Sequence, residues 1–206
     1  MKKNNFLVLM MLLLLSVVLV ACNFGGEEET TDDSGTTTDT DTTTDDSSGG
    51  DKELNLVVAS EPPSLHPQLA TDTTSSTIMS STHEGLMTLK DGKPVPGVAE
   101  SYKMSDDQLT YTFTLRDAKW SNGEPVTAED FAYAWEFALN PANASEYATI
   151  LYAIKGAEAY NLGTTTSFDE VGVKVIDSKT LEVTLESPTP YFLELTAFKA
   201  LCPIHK

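Results

Sequence analysis

The groups in this chain that could carry chemistry are two cysteines, three histidines and 31 carboxylates. Cys22 has the most informative neighbours. It follows Leu19-Val20-Ala21, small or aliphatic residues that leave a peptide bond open to cleavage and a thiol open to acylation. The residues before it suit removal. Lys2 and Lys3 give a positive start, and an apolar run from Phe6 to Val20, interrupted at Ser16, follows. That run is roughly 15 residues, short of the ~20 a membrane-spanning helix needs, so it reads as a secretory signal. Leu19 to Cys22 matches a bacterial lipobox. We therefore expect residues 1–21 to be cut away and Cys22 to carry fatty acids such as palmitate. Each buried methylene contributes ~0.8 kcal/mol, so two or more chains would hold the protein on the extracytoplasmic face of the cell membrane.

The remaining reactive groups form no such pattern. His66, His83 and His205 have no metal-ligand spacing, which argues against a metal site. Cys202 is the only other cysteine. With Cys22 acylated it has no disulfide partner in the chain, and it reads as a small buried hydrophobe. A Gly-rich phosphate loop and a Gly-x-Ser-x-Gly elbow are both missing from the sequence, and no two carboxylates stand out as an acid–base pair. We expect no catalytic residue, no cofactor and no enzymatic activity. The formal net charge of −18 leaves no basic stripe for phosphates, so nucleic acid is excluded as a partner.

Three segments follow from composition. Residues 22–51 hold ten of the acidic residues, no basic residue and one aromatic, Phe24. Such a stretch cannot bury enough apolar surface to offset the entropy of ordering, and its charges hold it extended. We read it as a disordered acidic linker. The residues from 52 to 206 are enough for one domain with its own core.

Within that domain the elements alternate. Leu54 to Ala59 is apolar and reads as a buried strand, stopped by Pro62-Pro63. A polar loop is expected through Thr77 and a helix from Ile78 to Leu86. Asp91-Gly92 marks a tight turn between Leu86–Leu89 and Lys93–Val95. Leu109 to Leu115 alternates apolar residues with threonines, which is the pattern of a half-buried strand. Asn122-Gly123 marks another turn. Thr127 is placed to cap a helix whose stripe is Phe131, Ala134, Trp135, Ala138 and Leu139, ended by Asn140-Pro141. Val171, Val173 and Val175 form one strand, and Leu181, Val183 and Leu185 another, joined by Asp177-Ser178-Lys179. Thr189-Pro190 reads as the start of a helix running to Leu201. Interleaved helices and antiparallel hairpins give an α+β fold.

Laid out in this order, several stretches resemble one family. They are Glu84-Gly85-Leu86, Pro96 to Ser101, Tyr111 to Arg116, Ala118 to Gly123, Pro125 to Phe131 and Pro188 to Phe192. Together they resemble the extracellular solute-binding proteins of peptide ABC importers, specifically the oligopeptide-binding proteins. The likeness covers essentially all of 54–206. These motifs read as scaffold: Trp120 and Phe131 as core, Arg116 as the partner of a carboxylate. The resemblance implies a periplasmic-binding-protein-like type II fold of the peptide-binding family. Members are much longer, so it also implies a partial chain: an N-terminal fragment holding the start of the first lobe and the smaller inserted domain. Family members close two lobes on an extended peptide and bond its backbone as an added strand. Carried over by position, the ligand-facing residues would be Thr71, Asp72 and Thr73 in one loop, and Tyr147. Thr71 stands where relatives can carry an acid, so a preference for basic side chains is not implied.

The expected partners are therefore an oligopeptide, an ABC permease and, through the anchor, the membrane. Two alternatives stay open. One is a relative with another cargo, such as a dipeptide, a nickel complex, haem or a signalling peptide. The other is a truncated surface module without a transport role.

Overall fold

Strict alternation of threonine with large apolar residues makes Thr110–Leu115 (β4) a strand with one dry face and one wet face. In the computed structural model, which describes residues 57, 58 and 60–206, Tyr111, Phe113 and Leu115 are buried while the threonines are half-buried. The expected signal segment, Cys22 and the acidic linker lie outside the described residues, as do Leu54 to Leu56 and Ala59.

β4 is an inner strand of a four-stranded antiparallel sheet of order β3-β4-β6-β5. β3 is Ala99–Met104, β5 is Val173–Asp177 and β6 is Thr180–Thr184. Register follows the apolar pattern. Phe113 lies opposite Leu181 and Tyr111 opposite Val183, so the dry residues of neighbouring strands share one face. The β5–β6 connection is the expected turn, and Asp177 Oδ1 accepts from the Lys179 N–H at 2.8 Å. A separate hairpin joins Met87–Lys90 (β1) to Lys93–Pro96 (β2). Its two turn residues, Asp91 (φ 53°) and Gly92 (φ 73°), are both left-handed. That geometry suits the strand twist and favours Asp-Gly.

The dry face is covered by two helices. α2 (Ala128–Leu139) buries Phe131, Ala134, Trp135, Ala138 and Leu139, the stripe its spacing predicts, and lies against β5 and β6. Its first turn is closed by Asp130, whose Oδ2 accepts from the Thr127 N–H at 2.9 Å and from the Thr127 hydroxyl at 3.2 Å. α4 (Phe192–Leu195) sends Phe192 onto Tyr111 and Phe113, with ring centroids 5.1 and 6.5 Å away. The short helix α3 (Ala157–Asn161) completes the core beside α2. Among the described residues no helix is long and apolar enough to cross a membrane.

Four expectations need correction. Val57 and Val58 are in no strand and are exposed, Val57 at 99%. An apolar residue is buried in a strand only where neighbouring strands receive it, and none of the described strands pairs with Val57 or Val58. The first helix, α1, runs Thr73–Thr82, five residues earlier than its apolar content suggested. Asp72 caps it, and its hydroxyls fold back on the preceding turn: Thr77 to Thr73 O at 2.9 Å and Ser80 to Ser76 O at 2.7 Å. The single helix expected from Thr189 to Leu201 is instead α4 followed by a separate 3₁₀ turn, Lys199–Leu201. Trp120 is half-buried rather than core, its indole N–H donating to Asp130 Oδ2 at 3.1 Å. Phe131 is fully buried as expected.

The two faces of β4 should respond differently to truncation. Phe113→Ala removes a fully buried ring and is expected to cost roughly 3–5 kcal/mol in urea unfolding. Thr112→Ala, half-buried on the opposite face of the strand, should cost no more than about 1 kcal/mol. Equal losses at both positions would contradict the burial pattern.

Candidate functional site

The break after α4 turns three successive carbonyls inward, and distant side chains meet them. Gln68, fully buried, donates its amide to Ala200 O at 3.2 Å and Cys202 O at 2.8 Å. The Trp135 indole donates to Leu201 O at 2.9 Å. Ser145 donates its hydroxyl to Gln68 O at 2.6 Å. Four chain segments are thereby fixed to one another: the approach to α1, the middle of α2, the loop before Tyr147, and residues 198–202.

This clamp brings the four expected ligand-facing residues into one neighbourhood, with one change of role. Thr71, Asp72 and Thr73 do not form an open loop. Asp72 is the N-cap of α1, its carboxylate accepting from the Ser75 N–H at 2.8 Å and the Ser75 hydroxyl at 2.5 Å. Those bonds, the Ser75 hydroxyl foremost, hold its carboxyl below the usual range. Thr73 begins the helix, and Thr71 and Thr73 are exposed. Tyr147 is half-buried and stands just before a 3₁₀ turn, Ala148–Ala153. Its ring meets Phe198 edge-on at 5.0 Å.

Lys199 joins the two groups and was not legible in the sequence. Its ammonium lies 5.6 Å from the centre of the Tyr147 ring and donates to Ser76 Oγ. Ser76 in turn donates to Asp72 O at 2.9 Å. The only signal in the chain is a basic residue next to an aromatic inside an expected helix, which any amphipathic helix can show. Lys199 also borders a hollow of about 330 Å³ with Met79, Ser80 and His83.

A larger cleft of about 660 Å³ adjoins that hollow at His83 and Glu84 and is also lined by Arg116 and Trp120. Arg116 pairs there with Glu84 at 2.5 Å, as its motif position suggested, and donates Nε to Gly97 O at 3.0 Å. His66 and His83 are both half-buried, and His66 stacks on Phe137 at 4.5 Å. Burial lowers the pKa of both imidazoles. Among the described residues no three His, Cys, Asp or Glu side chains converge as a metal site would require. The assembly of carbonyl clamp, aromatic pair and one cation can hold a ligand. It shows no activated nucleophile.

Cys202 sits inside the clamp, 3% exposed. Burial, with the charge of Glu84 adding to it, pushes its thiol up to about 12. In a Cys22→Ser chain at pH 8, a thiol reagent should find Cys202 roughly a thousandfold poorer in thiolate than an ordinary cysteine. The expected signal is no labelling when folded and one thiol in denaturant. Fast labelling of the folded chain would show the thiol is open. The clamp has its own test. Gln68→Leu leaves two buried carbonyls unpaired and should cost roughly 2–4 kcal/mol. The amide resonances of both Ser76 and Tyr147 should shift with it, and a change in stability alone would mean that Gln68 does not position them.

Residues 93–204 match the family model described as bacterial extracellular solute-binding proteins, family 5, middle region. The chain is 54% identical over 155 residues to the oligopeptide-binding protein OppA of Bacillus subtilis, covering 74% of this chain and 28% of that protein. It is 42% identical over 158 residues to the dipeptide-binding protein DppE of the same organism, covering 76% and 29%. Among solved structures, the substrate-binding domain of an oligopeptide ABC transporter from Bacillus anthracis superposes with a TM-score of 0.68 at 48% identity, covering 70% of this chain and 28% of that one. Peptide-bound OppA of Listeria monocytogenes gives 0.67 at 41%, covering 69% and 28%. The chain thus spans little more than a quarter of the length of these relatives.

Proposed function

Since the chain belongs to the bacterial extracellular solute-binding proteins of family 5, we propose that it serves as the substrate-binding component of an ABC importer and captures oligopeptides. The observation that carries this is the 54% identity to an oligopeptide-binding protein, above the 42% to a dipeptide-binding one. The α+β architecture is that of part of a type II binding protein, and binding rather than chemistry is the role assigned to it. Thr71, Asp72, Thr73 and Tyr147 form the proposed peptide-facing surface. Asp72 contributes by fixing the first turn of α1, and Tyr147 contributes a rigid aromatic face.

The chain's location follows from the sequence. Cys22 is proposed as the lipidated residue, residues 1–21 as the signal removed before it, and residues 22–51 as the acidic tether. Residues 52–206 would supply the start of one lobe and the smaller domain. The permease that receives the peptide is the second proposed partner.

A receptor that closes two lobes on its ligand divides the contacts between them, and preorganisation sets the affinity. We therefore expect the 206-residue chain alone to bind a tetrapeptide more weakly than micromolar in calorimetry or NMR titration. Tyr147→Ala should weaken that binding about five- to twentyfold. A dipeptide bound more tightly than a tetrapeptide would favour the dipeptide reading. Indifference of every peptide to Tyr147→Ala would remove that residue from the site. For the anchor, Cys22→Ser should abolish incorporation of a labelled fatty acid and release the protein from cells, and continued labelling would refute it.

A further inference from the structure

The cation at the centre of the proposed peptide-facing surface is short of negative charge. Lys199 has no carboxylate oxygen of the described residues within 4 Å; the pairs that form are Arg116–Glu84, Lys179–Asp117 and His205–Glu124. The acid whose charge acts on it is Asp72, whose two oxygens are already engaged by Ser75; Glu84, which lines the same hollow, is paired with Arg116. Burial lowers the Lys199 pKa more than the charge of Asp72 raises it. The ammonium is therefore less well compensated than it would be in water.

It is also held in place. Residues 200–202 are pinned by Gln68 and Trp135, and the side chain is directed between Ser76 and the Tyr147 ring. A long flexible lysine at a surface ordinarily loses rotamer entropy on pairing, which is why exposed ion pairs contribute little. Here much of that ordering is complete before any ligand arrives. Two of the three ammonium hydrogens remain beyond the one given to Ser76, and the neighbouring hollow of about 330 Å³ has room for a side-chain carboxylate.

We propose that Lys199 is a specificity-determining residue that selects ligands carrying a carboxylate, by a charge-assisted hydrogen bond from its ammonium. This deepens the peptide-binding reading and rests on it. The carboxylate can be an acidic side chain or the peptide C-terminus, and both share the same chemistry at Lys199. Lys199 positions no reacting atoms. Its effect is discrimination among ligands.

The test uses the full chain and short peptides observed by NMR, because weak binding is expected. Ala-Glu-Ala, Ala-Gln-Ala and Ala-Lys-Ala are titrated as C-terminal amides, and Ala-Gln-Ala also as the free acid. Binding is read from the amides of residues 71–76, 147–148 and 198–202. The amidated Glu peptide should bind about fivefold more tightly than the Gln peptide, with the Lys peptide weakest. In Lys199→Met that ranking should collapse, while Lys103→Met, on the exposed edge strand β3, keeps it. A gain confined to the free-acid Gln peptide would assign the carboxylate to the C-terminus instead. Equal binding of all four peptides, or a ranking that survives Lys199→Met in a folded chain, would overturn the inference and leave peptide capture standing. If none of the peptides moves any of these resonances, the peptide-binding reading fails together with it.

Discussion

Three backbone carbonyls, those of Ala200, Leu201 and Cys202, turn into the protein interior, and two side chains from far away in sequence satisfy them. A buried carbonyl without a partner costs about as much as a lost hydrogen bond, so this segment can take its path only if Gln68 and Trp135 are where they are. The dependence is mutual. Gln68 precedes α1 and is held by Ser145. Trp135 belongs to the apolar stripe of α2 and is fully buried. In a continuous helix ending at Leu201 these carbonyls would lie in or beyond the last turn, where no intrahelical N–H reaches them, so Gln68 and Trp135 rather than helical bonding satisfy them. The broken helix leaves the three carbonyls and the side-chain N–H groups of Gln68 and Trp135 paired with one another. It is also what places Phe198 and Lys199 against Tyr147 and the first turn of α1.

The legible part of the fold is the part specified by near neighbours. β4 is declared by threonines at every second position, α2 by its i, i+3, i+4 stripe, and the β1–β2 hairpin by Asp91-Gly92. In each case the residues that set the conformation are within a few positions of those that adopt it, so periodicity and turn chemistry suffice. Helix α1 shows where that reasoning fails. Ser and Thr compete with the backbone for hydrogen bonds and so favour loops in an isolated chain. In the folded protein the Asp72 cap and the burial of Ser75 and Met79 outweigh that preference, and the hydroxyls bond back along the helix.

The candidate surface shows the same division. Family likeness directed attention to Thr71, Asp72, Thr73 and Tyr147, and these do occupy one neighbourhood. Asp72, however, is engaged as a cap, so its carboxylate is not a free ligand group. The cation that unites the cluster comes from residue 199, whose position depends on the carbonyl clamp. With a relative at 54% identity, the scaffold could be assigned from motifs alone. The charge balance of this surface could not, because it depends on which carboxylates are already occupied.

From its residues alone, the chain determined its α+β class, the dry faces of its inner strands and main helix, its tight turns and the family whose motifs it carries. Those features depend on side-chain type and short-range spacing, which are written directly in the sequence. The tertiary structure alone decided where the last helix breaks and that Lys199 meets Tyr147. Whereas the Asp72 cap is made locally with Ser75, both of these depend on pairing polar groups across more than sixty residues of chain. No local pattern records whether such a pairing will be completed.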